Sequence, residues 1–100
     1  MFVHHVFFWL KSTGGPEEIK QFENGVNSLK AVKSVKMAEI GVPASTDRPV
    51  IDRSYSYSLL LIFENIADHD AYQVDPIHTQ FVADCAHLWD RVQIYDSVTL

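Results

Sequence analysis

Hydrophobic and polar residues change period along this chain in a way that marks out seven elements. Val3 to Lys11 is dense in β-branched and aromatic side chains and stops at Ser12-Thr13-Gly14-Gly15-Pro16, which predicts a strand followed by a turn. After Pro16, suited to a first helical position, Glu17 and Glu18 favour the positive end of a helix, and Ile19, Phe22, Val26 and Leu29 recur at three- and four-residue spacing. A first helix is therefore expected to about Ala31, with Gly25 weakening its middle. Ser34 to Val42 alternates imperfectly and ends at Gly41-Val42-Pro43, a second strand, and Ala44 to Arg53 has the composition of a surface loop. Tyr55 to Glu64 alternates and then becomes apolar on both faces, as a central strand does. Asn65 is placed to cap a short helix through about Gln73, and Asp75-Pro76 supplies the cap and first turn of a longer one with Ile77, Phe81, Cys85, Leu88 and Trp89 as its apolar stripe. Arg91 to Val98 alternates again, with Val92, Ile94 and Val98 on one face of a fourth strand.

The resulting order, β-α-β-β-α-α-β, matches the split βαβ or ferredoxin-like plan: an α+β fold in which a four-stranded antiparallel sheet carries its helices on one face. Strands one and three should lie in the middle, with right-handed crossovers placing the helical segments on the same side. Both central strands are apolar on both faces. Strand one has Phe7 and Trp9 at odd positions and Val6, Phe8 and Leu10 at even ones; strand three has Leu59, Leu61 and Phe63 against Leu60 and Ile62. Helices cover one face only, so the other needs a second cover, because soluble monomers seldom leave several hundred Å² of contiguous apolar surface bare. With odd positions assigned to the helix side, Val6, Phe8, Leu10, Leu60 and Ile62 would form the contact of a two-fold homodimer packed sheet to sheet. The competing solution is that the 44–53 loop folds over that face.

Composition narrows the function classes. With 100 residues the chain is read as one domain spanning 1–100, and 47% hydrophobic with 21% charged residues is ordinary globular composition. A net charge of -5 and only eight Lys and Arg argue against nucleic acid. The apolar N-terminal stretch lacks a basic leader and is shorter than the roughly 20 residues of a membrane span, so no membrane association is expected. A single cysteine, Cys85, suits a reducing compartment, and the cytoplasm is the expected location.

One group of residues is specific enough to suggest a family. An N-terminal strand of the form His-x-Val-x-Phe, a central strand ending Phe63-Glu64, and above all Tyr72-x-x-x-Pro76-x-His78 followed by Phe81 and Val82 resemble the stress-responsive α/β-barrel (Dabb) family over nearly the whole chain. The resemblance implies a dimeric α/β barrel. It also implies a site, since one plant member of the family is a polyketide cyclase performing an intramolecular aldol condensation with a His and Tyr that match His78 and Tyr72, and a strand-one His matched to His5. Two positions depart from that pattern: Tyr57 stands where the cyclase has a second pocket His, and Asp75 replaces the first His of its turn.

On this reading His78 and Tyr72 are the candidate catalytic pair. His78, in the first turn of a helix where the dipole disfavours imidazolium, would take an acidic proton, and the Tyr72 hydroxyl would donate to a developing enolate oxygen. His5, Phe7, Trp9, Tyr57, Leu59, Phe81 and Trp89 would line a pocket for a small, largely apolar oxygenated compound. The alternatives are that the aromatics fill an ordinary core, that His78 and Tyr72 only fix a helix corner, and that the dimer itself is the function as a stress or stability protein. No cofactor is implied. Nor is a metal: His4 and His5 point to opposite strand faces, with His4 expected toward the dimer interface, while His69 and His87 show no partner at ligand spacing.

Overall fold

The computed structural model describes residues 1–100. Four strands, β1 (Phe2–Leu10), β2 (Met37–Gly41), β3 (Tyr57–Phe63) and β4 (Trp89–Val98), form one antiparallel sheet in the order β2-β3-β1-β4. Helices α1 (Pro16–Ser28), α2 (Ile66–Val74) and α3 (Pro76–Cys85) connect them, α1 and α3 each ending in a 3₁₀ turn. This is the ferredoxin-like architecture with β1 and β3 central, as the pattern predicts.

Local chemistry accounts for the element ends. Pro16 opens α1, and the Glu18 carboxylate accepts from the Gly15 N–H at 3.2 Å. Asn65 caps α2 by accepting from the Asp68 N–H at 2.9 Å, and Asp75 caps α3 by accepting from the Ile77 N–H at 2.8 Å, with Pro76 next. β4 starts two residues earlier than expected because Leu88 closes the turn after α3 and Trp89 already pairs with Leu10. Leu88 and Trp89 thus leave the helix whose stripe they appeared to extend.

Register decides which side of each strand meets the helices. β1 and β3 pair Phe2 with Phe63, His4 with Leu61, Val6 with Leu59 and Phe8 with Tyr57, so even positions of β1 share a face with odd positions of β3. The core is built on that face: Phe2, Val6, Phe8, Leu59, Leu61 and Phe63 are buried against Phe22, Val26, Leu29, Tyr72, Phe81 and Cys85. Two expectations are corrected here. Val6 and Phe8, assigned to a dimer contact, are core residues under the helices, and Leu10 packs at the edge of that core. His5, Phe7 and Trp9, assigned to the pocket, stand on the opposite face with Leu60 and Ile62. That face has no helix over it, and the molecule is a slab of 36 × 34 × 17 Å. The loop reaches it at one end only, where Tyr55 lies against Phe7 (4.9 Å between rings) and the Trp9 indole N–H donates to Ser54 Oγ at 3.0 Å.

Gly25 has a packing reason. A Cβ there would meet Cys85 Sγ at 2.5 Å and Phe81 Cδ1 at 3.2 Å, so α1 and α3 approach closely only because the side chain is missing. Gly25→Ala is therefore expected to lower the urea midpoint. Overpacking of about 1–3 kcal/mol outweighs the helix-propensity gain of about 1 kcal/mol. Adding Cys85→Ala should restore part of the loss; a Gly25→Ala protein more stable than wild type would overturn this account.

Candidate functional site

At the end of the sheet where β1 begins and β4 finishes, four elements bring polar and aromatic groups together under the helices. β1 contributes His4, whose Cα partner across the ladder is Asp96 of β4. Facing the same side, the two side chains meet, and His4 Nδ1 lies 2.6 Å from Asp96 Oδ1. α2 contributes His69 and Tyr72, with ring centres 4.9 and 6.0 Å from that of His4. α3 contributes His78, whose ring lies 4.6 Å from Tyr72. Phe2 and Phe63 wall the cluster, His69 stacking on Phe2 at 4.4 Å.

Hydrogen bonding sets the state of each ring. His78 Nδ1 donates to the Gln73 carbonyl at 3.1 Å, which leaves Nε2 with a free lone pair. His4 Nδ1 donates to Asp96 in the same manner, an imidazole oriented by a carboxylate. His69 Nδ1 donates to Asp70 Oδ1 and its Nε2 accepts from the Gln73 amide, both at 3.2 Å. Tyr72 is 2% exposed and its hydroxyl has no partner within the protein, yet Ser34 Oγ is the one side-chain polar atom sealed from solvent without a hydrogen bond. The Tyr72 hydroxyl is therefore unpartnered and not wholly sealed from solvent.

Burial governs the titration of these groups. It pushes the His78 and His4 pKa values below the ordinary imidazole value, against smaller opposing effects of the Gln73 carbonyl and of Asp96 respectively. The same cause lifts Tyr72 well above the usual phenol range, so it remains a proton donor. A histidine whose pKa is depressed by folding binds its proton more readily when unfolded, so stability falls as pH drops through the ordinary imidazole value toward the folded one. We expect the unfolding free energy from urea titration to decline from pH 7.5 to 5.5, by at most about 1.4 kcal/mol per pH unit for each such histidine. His4→Asn should flatten that slope, and an unchanged slope in the variant would show that other groups carry it.

The predicted site is thus assembled in part. His78 and Tyr72 adjoin as expected, but the strand-one histidine beside them is His4, not His5. His5, Phe7 and Trp9 are across the sheet and line nothing here. Leu59 and Phe81 are on the helix side but lie in solid core, with Trp89 packed on Phe8 and Phe81 at 5.0 and 5.7 Å. Tyr57 sits at the far end of β3, where it donates to Glu23 Oε2 at 2.6 Å, and burial followed by that bond pushes its pKa up to about 12. Tyr57 instead borders a separate cavity of about 470 Å³ with Leu10, Lys11, Ser56, Ile19 and His87. His4, His69 and Asp96 were missed as a group. Two signals pointed to them: His4-x-Val6-x-Phe8 itself has the His-x-Val-x-Phe spacing, and Asp96 interrupts the apolar series Val92, Ile94, Val98.

The stress-responsive A/B barrel domain matches residues 2–99 of the chain. The protein belongs to that family, Dabb. A Dabb family protein of Mesorhizobium loti with a ferredoxin-like fold superposes with a TM-score of 0.79 at 27% identity, covering 99% of this chain and 96% of its own. The hydroxynitrile lyase of Passiflora edulis superposes at 0.80 with 18% identity and coverage of 99% and 93%. A dimeric ferredoxin-like protein of unknown function from Thermobifida fusca gives 0.79 with 18% identity and coverage of 98% and 90%. No curated protein matches the sequence significantly. No helix of this Dabb chain is long and apolar enough to cross a membrane.

Proposed function

We propose that this Dabb protein works as a homodimer and carries out proton-transfer chemistry, of lyase or aldol type, on a small, largely apolar oxygenated compound. The observation that carries the reading is the His78–Tyr72 pair: a neutral imidazole, fixed with Nε2 unprotonated, beside a buried phenol with an unpartnered hydroxyl. His78 Nε2 takes the acidic proton of the substrate, and the Tyr72 hydroxyl donates a hydrogen bond to the oxygen on which charge develops. For an α-hydroxynitrile the balance is complete. His78 removes the hydroxyl proton, the oxygen's electrons form the carbonyl as the carbon–carbon bond breaks, and the departing cyanide recovers the proton from His78. The structural likeness to a hydroxynitrile lyase supports choosing this probe.

The test is direct: purified protein is mixed with racemic mandelonitrile and release of benzaldehyde is followed, alongside aldol donors of similar size. Turnover above the uncatalysed rate is expected. No turnover on any of them, with no ligand retained in native mass spectrometry, would sink the enzymatic reading. A second reading has its own support. The space around Tyr72 is tight and the 470 Å³ cavity opens elsewhere, which suits a protein whose dimer is itself the function.

The dimer rests on the bare sheet face. Val3, His5, Phe7 and Trp9 of β1 and Leu60 and Ile62 of β3 present it, and a second copy packed against it would remove the apolar area from water at roughly 25 cal/mol per Å². Several neighbours of the same fold are described as dimeric. The lone cysteine, buried and unpaired, fits a cytoplasmic setting.

A further inference from the structure

His4, His69 and Asp96 come from three elements distant in sequence, β1, α2 and β4, and each presents one ligand atom within 4.8 Å of the others. Two imidazole nitrogens and a carboxylate oxygen are the donors that divalent transition metals favour, and three protein ligands leave a coordination position open for water. From this juxtaposition we infer that His4, His69 and Asp96 form a binding site for one divalent transition-metal ion of the Zn²⁺ class, a site separate in its ligands from the His78–Tyr72 pair.

The surroundings are those of a supported site rather than a chance meeting of surface groups. His4 is 3% exposed and held on the central strand, and His69 stacks on Phe2 with its Nδ1 held by Asp70, while its Nε2, which accepts from the Gln73 amide, would exchange that bond for the metal. Such outer partners orient metal-ligating imidazoles. Asp96 lies at the solvent edge, its side chain 41% exposed, and provides the path of entry. Metal–ligand distances of about 2.0–2.2 Å place tetrahedral ligand atoms roughly 3.3 Å apart. From the present spacing His69 must draw nearer, and His4 and Asp96, now 2.6 Å apart in a hydrogen bond, must separate slightly as the metal replaces their shared proton. The proton His4 shares with Asp96 is displaced on binding, so affinity should fall in acid.

The experiment is a calorimetric titration of tag-free, EDTA-stripped protein with Zn²⁺ at pH 7.5, repeated with Co²⁺ to read the visible absorption of the bound ion. One ion per chain is expected, with His69→Ala and Asp96→Asn each weakening binding at least about tenfold. His5→Ala and His87→Ala, at histidines outside the cluster, should bind as the wild type does. The inference is overturned if wild type takes up no Zn²⁺ at micromolar concentration, if His69→Ala and Asp96→Asn both bind as tightly as wild type, or if His5→Ala weakens binding as much as they do. Should His69→Ala fail to fold by circular dichroism, the exposed Asp96→Asn change and the Co²⁺ spectrum decide alone. His78→Ala should keep the metal even where it abolishes turnover, so failure of the metal site and failure of the proton-transfer reading are distinguishable.

Discussion

Leu60→Glu is expected to convert the protein from dimer to monomer at micromolar concentration. Leu60 lies at the middle of the bare face, flanked by His5 on β1 and Glu39 on β2. In a two-fold sheet-to-sheet contact each substitution appears twice, so two carboxylates would be taken out of water on a face where Glu39 already stands beside Leu60. An unpaired buried charge costs several kcal/mol, and the pair should raise the dissociation constant by at least about a thousandfold. Within the isolated chain the new side chain points to solvent, so the fold should survive, as circular dichroism would show. Val82→Glu, at an apolar position 40% exposed on α3, is the control that should leave the mass unchanged. Sedimentation velocity reads the outcome. A variant that sediments with wild type, or a wild type that is already monomeric, would remove the basis for the dimer.

His78→Ala should lower kcat on any substrate the protein turns over by about 10²–10⁴, the usual contribution of a positioned general base. KM should change little, because the lost interaction belongs to the transition state. Tyr72→Phe keeps the ring in the core and removes only the hydroxyl, so a loss of about 10²–10³ is expected if that group holds the developing oxyanion. The pH profile separates catalysis from mere structure. Because burial depresses the His78 pKa, the wild-type rate should hold below the ordinary imidazole value and fall only at lower pH as His78 takes a proton. That acid limb should vanish in His78→Ala. If the variant retains wild-type rates, or loses rate while keeping the same limb, His78 acts only through its bond to the Gln73 carbonyl.

Much of the architecture is legible in the sequence. The change of hydrophobic period located all four strands and three helices, and Pro16, Asn65 and Asp75-Pro76 marked the helix starts that their hydrogen bonds now explain. The pairing of Tyr72 with His78 was implied by the family resemblance, and the two lie six positions apart across one helix corner. The identity of the strand-one histidine showed only in the His4-x-Val6-x-Phe8 spacing, not in the alternation of the strand. In a half-buried strand the polar residues name the solvent side, but β1 is apolar on both faces, and alternation then says that His4 and His5 differ in side without saying which is which.

The sequence by itself determined the element order, the ferredoxin-like plan, the two-faced central strands that demand a second cover, and the local corner holding Tyr72 and His78. Tertiary structure alone decided the facing of β1. Antiparallel pairing sets Phe2 against Phe63, so even residues of one strand stand with odd residues of the next, and the parity depends on how the chain is cut between them rather than on any residue in either. That single register placed Val6 and Phe8 in the core, turned Phe7 and Trp9 outward, and brought His4 to Asp96 and His69 across 92 and 65 residues of chain.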